Sequence, residues 1–160
     1  HGGGHEAKRR SGTENIPGAV GFAAAVKISQ QQDQAIISDL QRYMIENIKT
    51  TIPEIILTGP SDLSKRLNNN VNFIFKYIEG EGIMMSLDME GINVSTGSAC
   101  SSHSLEPSHV LIACGFNHEL AHGSIRFSLS KYNTKQEIDY TIEKLRSAIQ
   151  KLREISPIVR

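Results

Sequence analysis

The run VNFIFKY, from Val71 to Tyr77, limits the fold of this chain more than any other stretch. Val71, Phe73, Phe75 and Tyr77 alternate with Asn72, Ile74 and Lys76, the period of a strand with one well-buried face. A second run behaves alike: Ile125, Phe127 and Leu129 form one face of a strand, and Ser124, Arg126 and Ser128 form the other. Strands with one apolar face need a covering layer. The chain supplies one directly downstream, where Thr134 and Glu137 make a T-x-x-E capping box and Ile138, Ile142, Leu145, Ile149 and Leu152 continue as a helical stripe. Ile37, Leu40, Met44 and Ile48 recur at the same spacing, and Pro53 closes that helix.

The remaining elements are shorter. Asn15 is a candidate N-cap with Pro17 in the first turn, and the Ala-rich stretch from Gly18 to Ile28 suits a buried helix. EIILTG predicts a strand ended by Gly59-Pro60. EGIMMSLDME predicts a helix with Gly91 as its stop, INVS a short strand, and PSHVLIAC a helix between Pro107 and Gly115. HGGGHEAKRRSGTEN and DLSKRLNN read as loops. The order α-α-β-β-α-β-α-β-α predicts an α+β fold, a sheet of mixed strand directions covered by helices.

Composition narrows the function classes. Charge is balanced, with 17 basic and 17 acidic residues, which argues against a nucleic-acid or polybasic membrane surface. No apolar run approaches the roughly 20 residues of a membrane span. Two cysteines far apart make no disulfide framework, so a reducing cytoplasm is the expected location. The start, His1 followed by GGGHEAKRRSGTEN, reads either as a tag remnant or as a cut from a longer chain.

Four groups of residues can carry chemistry. Cys100 sits in NVSTGSACSSHSLEP, where small and hydroxyl residues offer little apolar surface to bury it. An exposed loop thiol can reach a partner and react as thiolate. Cys114, in VLIACGF, reads instead as a small buried hydrophobe. Arg126 shares its strand face with serines; it is either a solvated surface arginine or one that holds a carboxylate through two parallel hydrogen bonds. In RRSGTEN, Gly12 and its hydroxyl neighbours precede a helix start and could approach a phosphate. The six histidines lack a zinc spacing with the cysteines, and no metal is expected.

Together GGGHEAKRRSGTEN, YIEGEGIMMSLDMEGINVSTGSACSSHSLEPSHVL and ELAHGSIRFSLSKYNTKQEIDYTI resemble, in this order, the C-terminal half of the long-loop cysteine desulfurases of the class V aminotransferase family. These are pyridoxal-phosphate (PLP) enzymes of the aminotransferase-like fold that supply sulfur for iron–sulfur clusters and tRNA thiolation. The GSACSS context differs from the R-x-G-H-H-C of the other branch, which lowers the case for a selenocysteine lyase. The resemblance is weakest across DQAIISDLQRYMIENIKTTIP.

The resemblance implies roles. Cys100 matches the cysteine that takes sulfur from the PLP-bound substrate and becomes a persulfide. Arg126 matches the arginine that grips the carboxylate of L-cysteine. Thr13 matches a threonine that reaches the cofactor phosphate of the neighbouring subunit in a homodimer. It further implies that residues 1–33 end the PLP-binding large domain and lead through a linking helix into a small domain, 34–160, that carries the cysteine loop. Two departures stand out: Lys8 and His103 stand where the family often has glycine and a small residue. The family's cofactor-tethering lysine lies in a serine–x–histidine–lysine context, and none of the nine lysines here does.

The expectation is therefore a desulfurase portion that does not turn over L-cysteine or hold PLP by itself. In its full-length parent it would hand sulfur to an iron–sulfur scaffold or another acceptor protein. A naturally short, non-enzymatic sulfur carrier or scaffold-binding module is the alternative.

Overall fold

A computed structural model of the chain describes residues 2–31, 34–97 and 107–157. Cys100 and His103 lie outside the described residues. The chain divides into two compact units, His1–Asp33 and Gln34–Arg160.

The first unit begins with a short turn, α1 (His5–Lys8). Glu6, Ala7 and Lys8 have φ of 52°, 54° and 66°, so this turn is left-handed rather than ordinary α-helix. Gly12 follows with φ +101°. Helix α2 (Ile16–Gln30) starts where Asn15 Oδ1 accepts the Gly18 N–H at 3.0 Å, with Pro17 in the first turn. The Ala-rich stretch forms the helix but not the expected buried one, since no residue of α2 is buried. Its apolar residues are not gathered into one stripe, so no single face of it defines a packing surface.

The second unit is an α+β layer. Its four-stranded sheet has the order β1-β2-β4-β3, from β1 (Ile55–Leu57), β2 (Asn70–Phe75), β3 (Ser95–Thr96) and β4 (Ser124–Ser128). Every pairing is antiparallel, which corrects the expected mixed directions. The sheet is small because its edge strands are short, β1 with three residues and β3 with two.

Helices α3 (Gln34–Thr51), α4 (Gly80–Asp88) and α7 (Lys135–Ile155) share one core with the first sheet face, where Phe73, Ile125 and Phe127 are buried. The capping box forms as the sequence predicts: Thr134 Oγ1 accepts the Glu137 N–H and Glu137 Oε2 accepts the Thr134 N–H. Gly91, at φ +75°, ends α4 with Gly91 N–H donating to Asp88 O and Ile92 N–H to Leu87 O, a Schellman stop. Two short helices follow β3, α5 (His109–Ala113) and α6 (His118–His122), of which the sequence reading found only the first. Five residues with Asn117 as cap are too few for a periodic signal.

The VNFIFKY strand is shorter than its alternation. It stops at Phe75, and Tyr77 takes φ +69° in the turn that follows. The turn is held from the far end of α7, where Ser156 Oγ donates to Tyr77 O and Arg153 donates to the Pro53, Glu54 and Lys76 carbonyls. That clasp fixes the outer end of the β1–β2 pair and leaves the opposite end of the sheet to form the site.

Candidate functional site

Register decides which side chains share the second sheet face. Asn72 stands opposite Arg126, and Arg126 opposite Ser95, so the three form one row across β2, β4 and β3. The next row pairs Ile74 with Ser124, both fully buried. The row on the other side pairs Asn70 with Ser128, which is exposed. Arg126 is thus half-buried between a closed end and an open end of one face.

A cavity of about 350 Å³ opens there. Arg126, Asn72 and Gly97 lie on its wall with Arg66, Lys65 and Cys114, and no Asp or Glu among the described residues lines it. The Arg126 side chain has no hydrogen-bond or ion-pair partner among the described residues, and its Nε is shut off from solvent. Arg66 Nε and Ser124 Oγ are the other buried side-chain atoms without a partner among the described residues. Ser124 Oγ lies 2.8 Å from where a Cβ on Gly97 would stand. Arg66 and Arg126 line this one cavity, and Ser124 stands behind its Gly97 wall. A buried donor without a partner costs about 1–3 kcal/mol, so such a cluster is a standing demand for an acceptor. With cations on the wall and no carboxylate, the fitting acceptor is an anion, and a carboxylate matches the guanidinium fork.

Other donors are already oriented. Thr58 Oγ1 donates to Asn72 Oδ1 at 2.9 Å, which leaves the amide nitrogen as the Asn72 atom able to donate. Arg66 Nη1 donates to Thr58 O at 2.5 Å and Pro60 O at 2.9 Å. Desolvation lowers the Arg66 pKa from the ordinary guanidinium value.

Of the sequence candidates, the structure places Arg126 in this cavity. Cys100 lies outside the described residues; Gly97 and Pro107 bound the stretch that carries it, and Gly97 packs against Ser108 so closely that a Cβ would fall 2.9 Å from Ser108 Cβ. Thr13 belongs to the first unit, exposed, next to Gly12 and two residues before the Asn15 cap. Its side chain has no hydrogen-bond partner among the described residues, and the Arg10 guanidinium donates to the Gly12 carbonyl at 2.6 Å. Cys114 corrects the sequence reading: it is exposed, on the cavity wall, rather than buried. Apolar neighbours in sequence made it look internal, but α5 turns that position outward at its last turn. Arg66, Asn72 and Thr58 were missed, because a loop arginine and strand asparagines carry no signal until the register brings them together.

An α+β unit that presents to a cavity an arginine unpaired among the described residues is a class also recognisable by descent. The chain belongs to the aminotransferase class-V family, which it matches over residues 3–141. It is 49% identical to the cysteine desulfurase IscS of Dictyoglomus turgidum over 160 residues, covering 98% of this chain and 40% of that protein. It is 48% identical to cysteine desulfurase IscS 1 of Archaeoglobus fulgidus, covering 99% of this chain and 42% of that protein. Among solved structures, a NifS-like protein from Rickettsia africae matches with a TM-score of 0.76 at 29% identity, covering 93% of this chain and 39% of that one. Another NifS-like protein matches at the same TM-score and 33% identity, covering 95% of this chain and 38% of its own. The chain thus spans about two fifths of the length of the curated relatives it matches.

Proposed function

We propose that this chain is the C-terminal portion of a cysteine desulfurase, with residues 1–33 ending the PLP-binding large domain and 34–160 forming the small domain. The observation that carries the reading is the half-buried Arg126, which among the described residues has no partner and shares its cavity with no acidic side chain. Arg126 holds the carboxylate of L-cysteine and fixes which way its side chain points. The Cys100 thiolate then takes the substrate sulfur: a sulfur–sulfur bond forms, the carbon–sulfur bond breaks, and the carbon takes a proton to become the methyl group of L-alanine. The persulfide on Cys100 passes to an iron–sulfur scaffold or another acceptor protein in the cytoplasm.

PLP, in the complete protein, supplies the electron withdrawal that makes this sulfur transferable. The described residues suit its phosphate end: the exposed Thr13 stands beside Gly12, at φ +101°, just ahead of helix α2. In a homodimer, Thr13 serves the neighbouring subunit's cofactor. No lysine of this chain sits in the family's tethering context, so the cofactor is held chiefly by the rest of the protein.

The direct test is alanine formation from L-cysteine. The chain with PLP alone is expected to give none; the complete protein is expected to turn over, and Cys100→Ser to abolish turnover. In that complete protein Arg126→Ala should raise KM for L-cysteine about 100-fold, the loss expected for a charged hydrogen-bond pair. Sustained turnover by the chain alone, or an unchanged KM, overturns the reading.

A further inference from the structure

The geometry points to Arg66 as a positioning residue for the carboxylate site: it holds the Thr58–Pro60 turn and, through Thr58, the Asn72 amide beside Arg126. This rests on reading the cavity as the site of the L-cysteine carboxylate.

The chain of contacts is continuous. Arg66 Nη1 donates to the carbonyls of Thr58 and Pro60, on both sides of Gly59. Gly59 has φ +77°, and a Cβ there would stand 3.1 Å from the same Nη1. The guanidinium therefore packs directly on the turn, and only glycine lets it do so without displacement. Thr58, nearly buried, donates through its N–H to Asn72 O at 3.1 Å and through Oγ1 to Asn72 Oδ1. Asn72 is the register partner of Arg126. Losing the Arg66 fork frees the turn, then Thr58, then the orientation of the Asn72 amide.

Charge adds a second effect. The neighbouring Lys65 has Asp62 3.9 Å away, but Arg66 has no ion pair among the described residues. A half-buried cation without a counter-ion raises the positive potential of the cavity and so favours an anionic ligand. Both effects act on binding of the carboxylate and neither touches the sulfur-transfer step. A residue that only propped up the fold would lower the folded fraction instead.

Two variants separate geometry from charge. Arg66→Lys keeps the charge without the fork; Arg66→Gln removes the charge and keeps a single donor group. In the complete PLP-loaded desulfurase, Arg66→Gln should raise KM for L-cysteine about tenfold with kcat nearly unchanged, and Arg66→Lys should raise it by about threefold, the scale of one or two hydrogen bonds. A second readout needs no turnover. In this chain carrying Cys100→Ser, L-alanine in the cavity should slow alkylation of the exposed Cys114. Arg126→Ala should abolish that protection, and Arg66→Gln should shift the protecting concentration by the same factor as KM.

If Arg126→Ala leaves protection intact, the carboxylate reading falls and the role of Arg66 with it. If Arg126→Ala abolishes protection while both Arg66 variants protect and turn over like the parent, the role of Arg66 alone is overturned. Thermal unfolding of each variant guards against a folding defect, and where Arg66→Gln does not fold, the KM and protection of Arg66→Lys decide.

Discussion

Helices α7 and α2 are both continuous and both carry many apolar residues, yet they stand differently toward water. α7 gathers Ile138, Ile142, Leu145, Ala148 and Ile149 into one buried stripe. α2 spreads its apolar residues around the axis, and Ile16, Val20, Phe22 and Ile28 remain 63%, 63%, 74% and 54% exposed. An amphipathic helix needs one apolar neighbour, and the sheet supplies it within this chain. A helix that is apolar on every side needs a surrounding, which is the signature of a helix meant for the interior of a larger body. The chain thus contains one element whose burial is complete and one whose burial is not met by the described residues.

The contrast can be broken or sharpened by substitution. Leu145→Ala removes a fully buried side chain from the shared core and should destabilise the second unit by about 2–5 kcal/mol in chemical denaturation. Gly123→Ala comes next: its Cβ would fall onto the Phe75 carbonyl, and the overpacking should cost about 1–3 kcal/mol in the same measurement. Thr134→Ala removes the α7 cap and should cost about 1 kcal/mol.

The ion pair of Lys144 with Glu90, at 2.9 Å, ties the end of α4 to α7 and should show as a small pH effect. The hydrogen bond from Lys144 lowers the Glu90 pKa below its ordinary 4.5, so the unfolded chain holds the proton more tightly. Stability from this pair is present above the ordinary carboxylate pKa and is lost as pH falls through the lowered one. Glu90→Gln should lower stability slightly at neutral pH and leave it unchanged at acid pH, so that this acid limb flattens; the change is small because Glu90 is exposed and Lys144 partly so. The smallest effect belongs to α2: Phe22→Ser should change the unfolding midpoint by less than about 0.5 kcal/mol of stability. A loss of the size seen for Leu145→Ala would show that α2 is covered in solution and would dissolve the contrast.

Much of this fold was legible because periodicity and caps are local. The stripe of α7, the Thr134–Glu137 box, the Asn15 cap and the Gly91 stop all formed where residue types alone put them. Tyr77 shows where period two misleads. It continues the alternation, but the strand ends two residues earlier because the chain must turn into α4. Cys114 shows the same limit for burial: five-residue α5 is too short for its apolar run to report which side faces inward. At the site, Arg126 was legible as a strand residue set apart from an apolar face. Arg66 and Asn72 were not, since one lies in a segment that reads as loop and the other looks like any solvated strand residue.

The sequence by itself determined the order of elements, the α+β class and the kinship of the chain, because these rest on short-range spacing and on motifs read residue by residue. Tertiary structure alone decided that the sheet is antiparallel throughout, that Cys114 faces a cavity, and that Arg66 reaches Arg126 by way of Thr58 and Asn72. The path from Arg66 depends on register, of β1 with β2 at Thr58 and Asn72 and of β2 with β4 at Asn72 and Arg126, where a one-residue slip would turn every side chain to the opposite face.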